Sequence, residues 1–185
     1  MDFREAENQD FDGILALQAA NLFENLTESE RTDGFVTTPF TAQQLEELVE
    51  RQGLFVADSQ GKVWGYTMAA GWDYCAQWPI FPFMIDRLTG RDFAGTNITE
   101  SSTYQYGPVC VDASLRGTDT FPRLFEIMRI GFAERYPVGI TFINRANPRS
   151  HRAHTAKLGM AVIDEFEFSE REYYGLAFET DRSVL

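Results

Sequence analysis

The sequence predicts a single α/β (α+β) domain with about seven strands, in which hairpins and helical crossovers are mixed. Three observations lead there. Residues 54–72 read as two strands joined at Gln60-Gly61, a two-residue hairpin turn. Phe121, Leu124, Phe125, Met128 and Phe132 recur at i, i+3, i+4, i+7 and i+11, the stripe of an amphipathic helix packed on a sheet. Near the end, "AVIDEFEF" and "YYGLAFE" are two strands joined by the polar "SERE", a closing hairpin. At 185 residues the chain is long enough for one full core and short for two.

The remaining elements follow in order. "FREA" reads as a short first strand, and a helix is expected from about Asp10 to Phe23, with Phe11, Ile14, Leu15, Leu17 and Ala19 crowding one side. "TESERTDGFVTTPF" is loop-like. Thr41 opens a second helix through a capping box with Gln44, and Gly53 is the expected C-terminal cap. Residues 73–102 are expected as an irregular insertion, because two prolines should break any helix between Trp78 and Phe83. "TYQYGPVCVD" is a strand that Gly107-Pro108 should interrupt, as at a bulge. Tyr136-Pro137 ends the long helix, "GITFIN" is a buried strand, and "NPRSHRAHTAKLG" is a short helix with Pro148 in its first turn and Gly159 past its end.

Composition narrows the function. The chain is 44% hydrophobic and 24% charged, ordinary for a globular domain. Its net charge of −12, from 16 basic and 28 acidic residues, argues against nucleic acid, which needs clustered Lys and Arg. The negative field is compatible with a cationic small substrate and also with simple solubility. The two cysteines, Cys75 and Cys110, form no CxxC, so neither a disulfide framework nor a metal site is expected and a cytoplasmic home is natural. "MDFREAENQD" lacks the pattern of a signal peptide, and no apolar run approaches the roughly 18 residues of a membrane helix.

The stretch "VCVDASLRGTDTFPRLFE" carries the chemistry. A strand, a tight turn and a helix N-terminus make an anion site because the first helical N–H groups lack partners and the macrodipole is positive there. Arg116 and Gly117 sit at the turn, and Thr118, Asp119, Thr120 and Phe121 supply successive N–H groups before Pro122. A plain strand-to-helix connection, capped by Thr118 or Asp119, is the alternative.

On these residues the chain resembles the GNAT superfamily of N-acetyltransferases over essentially its whole length. That family holds the pyrophosphate of acetyl-coenzyme A in an R/Q-x-x-G-x-G/A loop after its fourth strand. Arg116 matches the first position and Gly117 the common "RG" start, whereas Asp119 and Phe121 stand where the two glycines are usual. "NPRSHRAHTAKLGM" is similar to the family's second signature: Asn147, Ser150, Leu158 and Gly159 match, and Met160 replaces the usual aromatic. The resemblance implies a GNAT-like fold with a mixed, mostly antiparallel sheet, flanking helices and the C-terminal hairpin. It implies acetyl-coenzyme A as acetyl donor and an N-acetyltransferase acting on a primary amine of a small molecule or peptide. The alternative is a catalytically weak or inactive GNAT-fold protein that binds a ligand or partner. A doubly wound nucleotide-binding fold is disfavoured, since there is no G-x-G-x-x-G after the first strand and no Walker lysine.

Asp119 is the principal obstacle. A carboxylate about 5 Å from a phosphate charge, at an effective dielectric near 20, costs roughly 3 kcal/mol before screening. Salt and outward rotation reduce this to about 1 kcal/mol.

The resemblance also implies which residues react. An alkylamine, with a pKa near 10, must lose a proton before attack, and the oxyanion and departing thiolate need donors. The interrupted fourth strand supplies a backbone donor and pairs with pantetheine, which points to Val109 and Val111. The family's acid, a Tyr about seven residues after the Asn, is replaced by His154 when counted from Asn147, and by Thr155 when counted back from Gly159. Asn147, Ser150 and His154 share one helical face and are taken as cofactor-binding. Tyr106, Tyr104 and Glu100 are base candidates, and core packing is the alternative for both tyrosines. The acceptor pocket is expected from the loops flanking the first two helices and from the insertion. Asp33 and Asp73 are candidates to orient an ammonium, and "WPIFPF" could line the pocket, form a homodimer seam or pack on its own core.

Overall fold

The computed structural model describes residues 1–185. In chain order it contains β1 (Asp2–Glu5), a 3-10 turn (Asn8–Asp10), α1 (Phe11–Ala19), a 3-10 turn (Phe23–Asn25), α2 (Glu28–Arg31), α3 (Ala42–Glu50), β2 (Leu54–Ser59) and β3 (Lys62–Ala70). Then come α4 (Trp72–Cys75), α5 (Ile80–Leu88), β4 (Asp92–Phe93), β5 (Thr96–Asn97), β6 (Thr103–Val111), a 3-10 turn (Ala113–Leu115) and α6 (Thr120–Ala133). β7 (Val138–Asn144), α7 (Pro148–Arg152), a π turn (Ala153–Lys157), β8 (Ala161–Phe168) and β9 (Arg171–Glu179) complete it.

Seven strands form one mixed sheet in the order β1-β2-β3-β6-β7-β9-β8, and β4 and β5 make a separate two-stranded ribbon. The β1–β2, β2–β3, β7–β9 and β8–β9 pairs are antiparallel, and β6–β7 is parallel. This is the mixed, mostly antiparallel seven-stranded sheet with a terminal hairpin that the sequence predicts. No helix is long and apolar enough to cross a membrane.

The chain falls into two compact units: residues 1–69 with 107–131 and Leu185, and residues 70–106 with 132–184. In the first, α3 buries Leu45 and Leu48, β2 buries Phe55 and Val56, and α6 buries Leu124, Phe125 and Met128. The capping box forms as expected: the Thr41 amide donates to Gln44 Oε1 at 2.9 Å and the Gln44 amide to Thr41 Oγ1 at 3.3 Å. The end of α3 differs from expectation. Gln52, not Gly53, takes the left-handed conformation at φ 56°, and the Gly53 amide closes the turn onto the Leu48 carbonyl at 2.8 Å. Glycine is required at 53 for another reason: a Cβ there would lie 2.1 Å from the Ala69 carbonyl oxygen.

In the second unit the expected irregular stretch contains a real helix. α5 runs through Pro82, because Pro79 is its N-cap and Pro82 lies in its first turn, where the missing N–H would have had no intrahelical acceptor. The "WPIFPF" aromatics pack on their own unit: Trp78 on Phe81, Phe81 on Phe142, and Phe83 on Phe166 and Phe168. α1 is also shorter than expected. It stops at Ala19, and the chain turns at Asn21, whose carbonyl accepts the Val36 amide at 2.9 Å.

The candidate coenzyme loop and a buried tyrosine–histidine pair

The predicted site residues fall into two clusters, one in each unit. Val109, Val111 and Arg116–Phe121 belong to the first; Tyr106, Asn147, Ser150 and His154 belong to the second.

In the first cluster, Asp112 ends β6 by capping the 3-10 turn, accepting the Ser114 amide at 2.9 Å. Hydrogen bonding to Ser114 holds the Asp112 carboxyl below its ordinary range. Gly117 then takes φ +91°, with nothing within 4 Å of a Cβ position. An L side chain would be strained there and would cover the backbone that an anion must approach. The amides of the loop divide into two groups. Those of Thr118 and Thr120 are engaged, by the Leu115 carbonyl at 3.3 Å and by Thr118 Oγ1 at 3.2 Å. Those of Gly117 and Asp119 make no hydrogen bond. Pro122 has no N–H to offer.

Asp119 does not cap the helix with its side chain. Its carboxylate turns outward and meets Arg123 Nε at 2.7 Å, both side chains more than half exposed. The negative charge that argues against a phosphate is thereby partly neutralised by a neighbour at i+4. Arg116, the residue that matches the family's first position, faces the protein: Nε donates to the Val111 carbonyl at 3.2 Å, Nη1 to the Asp33 carbonyl at 2.9 Å and Nη2 to Asn21 Oδ1. Val109 and Val111 are half-buried on β6.

The second cluster begins where two strands part. β6 pairs with β7 over Thr103–Gln105, against Val138–Ile140, and Tyr106 continues the strand beyond that register. The Gln105 side chain donates from Nε2 to the Tyr106 carbonyl at 2.7 Å. The Tyr106 ring packs edge-on against Phe178, and its hydroxyl lies 3.3 Å from His154 Nε2. His154 comes from the helix that Asn147 caps by accepting the Ser150 amide at 3.1 Å. Tyr104 lies on the same face of β6, stacked on Phe132, and is a core residue by its packing.

His154 is 4% exposed and Tyr106 0%, so a solvated histidine on a helix surface is excluded. The His154 tautomer follows from geometry. Nδ1 lies 2.7 Å from the Ser150 carbonyl oxygen, which can only accept, so Nδ1 carries the hydrogen. Nε2 then presents a lone pair, and the Tyr106 hydroxyl donates to it. Burial pushes the imidazole down to about 4, against the bond to Ser150, which raises it, and with the neighbouring His151, which lowers it further. At neutral pH His154 is uncharged.

The one-residue difference between the counts toward His154 and Thr155 coincides with the π turn at Ala153–Lys157, which absorbs one extra residue before Gly159. His154 faces Tyr106, whereas Thr155 Oγ1 donates back to the His151 carbonyl at 2.8 Å.

The i, i+4 relation of Asp119 to Arg123 was readable in the sequence and was missed. Asn21 and Asp33, which hold Arg116, lie 95 and 83 residues away and left no local signal.

Comparison with known proteins bears on the fold. No protein-family model and no curated protein matches the sequence. Solved structures do match. An N-acetyltransferase from Staphylococcus aureus Mu50 is 17% identical with a TM-score of 0.64, covering 97% of this chain and 98% of that one. A ribosomal-protein-alanine N-acetyltransferase from Brucella melitensis is 16% identical with a TM-score of 0.61, over 97% and 99% of the two chains. The GNAT-like decarboxylase GphF, in complex with isobutyryl-CoA, is 15% identical with a TM-score of 0.60, over 97% and 100%. The chain therefore has the GNAT fold of the N-acetyltransferases.

Proposed function

We propose that the chain is an acetyl-coenzyme A-dependent N-acetyltransferase that acts on a primary amine by direct transfer. The observation that carries this reading is the pair of unpartnered amides at Gly117 and Asp119, beside a left-handed glycine and with the Asp119 carboxylate turned to Arg123. These donors suit a diphosphate, and the similarity to the isobutyryl-CoA-bound GphF favours an acyl-coenzyme A over other phosphates. Bound there, the coenzyme supplies the acetyl thioester.

The second cluster handles the proton. In this reading the Tyr106 oxygen takes the proton lost by the attacking amine as its own hydroxyl proton passes to His154 Nε2. A buried imidazole with depressed basicity holds that proton only briefly, so it returns through Tyr106 to the sulfur that leaves. Val109 and Val111, on β6, supply backbone groups to the pantetheine arm. The acceptor is a small-molecule or peptide amine. The cytoplasm is the proposed compartment, in keeping with two buried cysteines outside any disulfide, Cys75 and Cys110.

A second reading has its own support. Two of the loop amides are already engaged and Pro122 lacks a third, which suits a protein that binds a coenzyme weakly and catalyses little. GphF, a decarboxylase on this fold, is a reminder that the fold does not set the reaction.

Thermal unfolding with acetyl-coenzyme A separates the outcomes. Ligand at about 100 times its Kd adds about 2.7 kcal/mol, several degrees in Tm for a chain of this size. A shift together with thiol release on adding primary amines supports the enzyme. A shift without release supports the binding protein, and no shift at millimolar ligand sinks both.

A further inference from the structure

We propose that Arg116 is a positioning residue that couples the coenzyme loop to the segment Asn21–Val36, so that occupancy of the loop orders that segment. This rests on the acetyltransferase reading, because the coupling needs a coenzyme in the loop.

The geometry is confined to the first unit. Arg116 directly precedes Gly117, the first residue of the loop with an unpartnered amide. Its guanidinium uses all three nitrogens on protein oxygens: the Val111 carbonyl, the Asp33 carbonyl and Asn21 Oδ1. With each of its nitrogens donating to a protein oxygen, the planar fork is turned toward the protein, and its fixed geometry holds three chain segments at once.

Asn21 is the node on the other side. It is buried at 8% exposure, and its Nδ2 donates to the Leu17 carbonyl in the last turn of α1 at 2.8 Å. Its backbone carbonyl accepts the Val36 amide, and the Phe23 amide returns to the Val36 carbonyl at 3.0 Å. These two bonds close residues 22–35 into a loop pinned at its neck. Within it, the Gly34 amide bonds to the Arg31 carbonyl at 3.1 Å, and Arg31 Nε donates to the Phe23 carbonyl at 3.1 Å. Most of the loop's polar side chains are exposed and it contributes no large buried side chain, so its order depends on such anchors. The Asp33 carbonyl is the contact Arg116 makes within it.

Consequently a diphosphate that fixes the peptide at Gly117 also fixes the backbone of Arg116, and through the guanidinium both Asn21 and Asp33. The loop carries Asp33, a residue expected to orient the ammonium of the acceptor.

The test is amide hydrogen exchange on the full chain, with and without coenzyme A, beside calorimetric coenzyme A affinity. In the native chain coenzyme A should slow exchange at Gly34 and Val36 by about fivefold or more, the low end of measured couplings. In R116A the protection should vanish. N21A, which leaves Arg116 and the loop amides intact, should lose it as well, and by reciprocity should weaken coenzyme A binding by a similar factor. A merely structural Arg116 would leave coenzyme A affinity in N21A unchanged. Native protein that binds coenzyme A without slowing Gly34 and Val36, or R116A that retains the protection, overturns the coupling and leaves the acetyltransferase reading standing. Native protein that refuses coenzyme A removes that reading and the coupling with it.

Discussion

The Tyr106 hydroxyl lies 3.3 Å from Nε2 of His154, and the opposite ring nitrogen of His154 is held by the Ser150 carbonyl at 2.7 Å. The second bond decides the first. Because the carbonyl claims the proton on Nδ1, the imidazole meets the phenol with a lone pair, and the tyrosine is the donor. The pair is enclosed among Phe178 and the capped helix of Asn147, and burial keeps the imidazole uncharged at pH 7.

Tyr106→Phe removes the hydroxyl and little volume. It should lower kcat by about 100-fold or more, the usual scale of acid–base assistance, while leaving the Kd for coenzyme A within about twofold. His154→Phe should do the same. Steady-state kinetics with calorimetry checks both, and unchanged turnover in either variant removes the relay.

His154 also makes stability depend on pH. Its folded value, about 4, lies below its unfolded value near 6.5, so between those limits the unfolded chain binds more protons. Stability therefore rises with pH, and this contribution is lost progressively as pH falls from about 6.5 toward 4. Urea unfolding should show the native chain losing about 2 kcal/mol more than His154→Gln between pH 7 and pH 5. Parallel pH profiles for the two proteins would contradict the buried, neutral imidazole.

The Asp119–Arg123 pair predicts a sign. Arg123→Ala frees the carboxylate charge beside the loop and should weaken coenzyme A binding, by no more than about fivefold because the pair is exposed. Asp119→Asn should restore or slightly improve it. Fluorescence or calorimetric titration at low salt decides this. Weaker binding in Asp119→Asn would mean that the carboxylate helps rather than hinders.

Gly53→Ala tests the fold. A methyl 2.1 Å from the Ala69 carbonyl oxygen cannot be relieved by rotating a side chain, since the obstacle is backbone. The substitution should cost about 3 kcal/mol or more, visible as a Tm drop of several degrees or as insoluble protein. A Tm within one or two degrees of the native value would show that α3 and β3 are less tightly docked than drawn.

Local pattern was enough for a large part of this. The stripe Leu124, Phe125, Met128 and Phe132 is buried as its spacing demands, the Thr41–Gln44 box forms, and Tyr104 and Tyr106 share a face because strands alternate. These properties depend on residues within about one or two helical turns of one another. The prolines of α5 misled because the penalty for proline depends on its place in a helix, and the start of that helix was not evident from its sequence.

What the chain's own order of residues determined was the strands of the main sheet, the turn at Gly117 and the helix begun by Asn147. Only tertiary structure decided that Arg116 is spent on Asn21 and Asp33, and that His154 is buried against Tyr106 and not solvated. The reason is physical. Hydrogen bonds and desolvation act between groups close in space, and 48 residues separate Tyr106 from His154. No short-range periodicity records a contact of that kind.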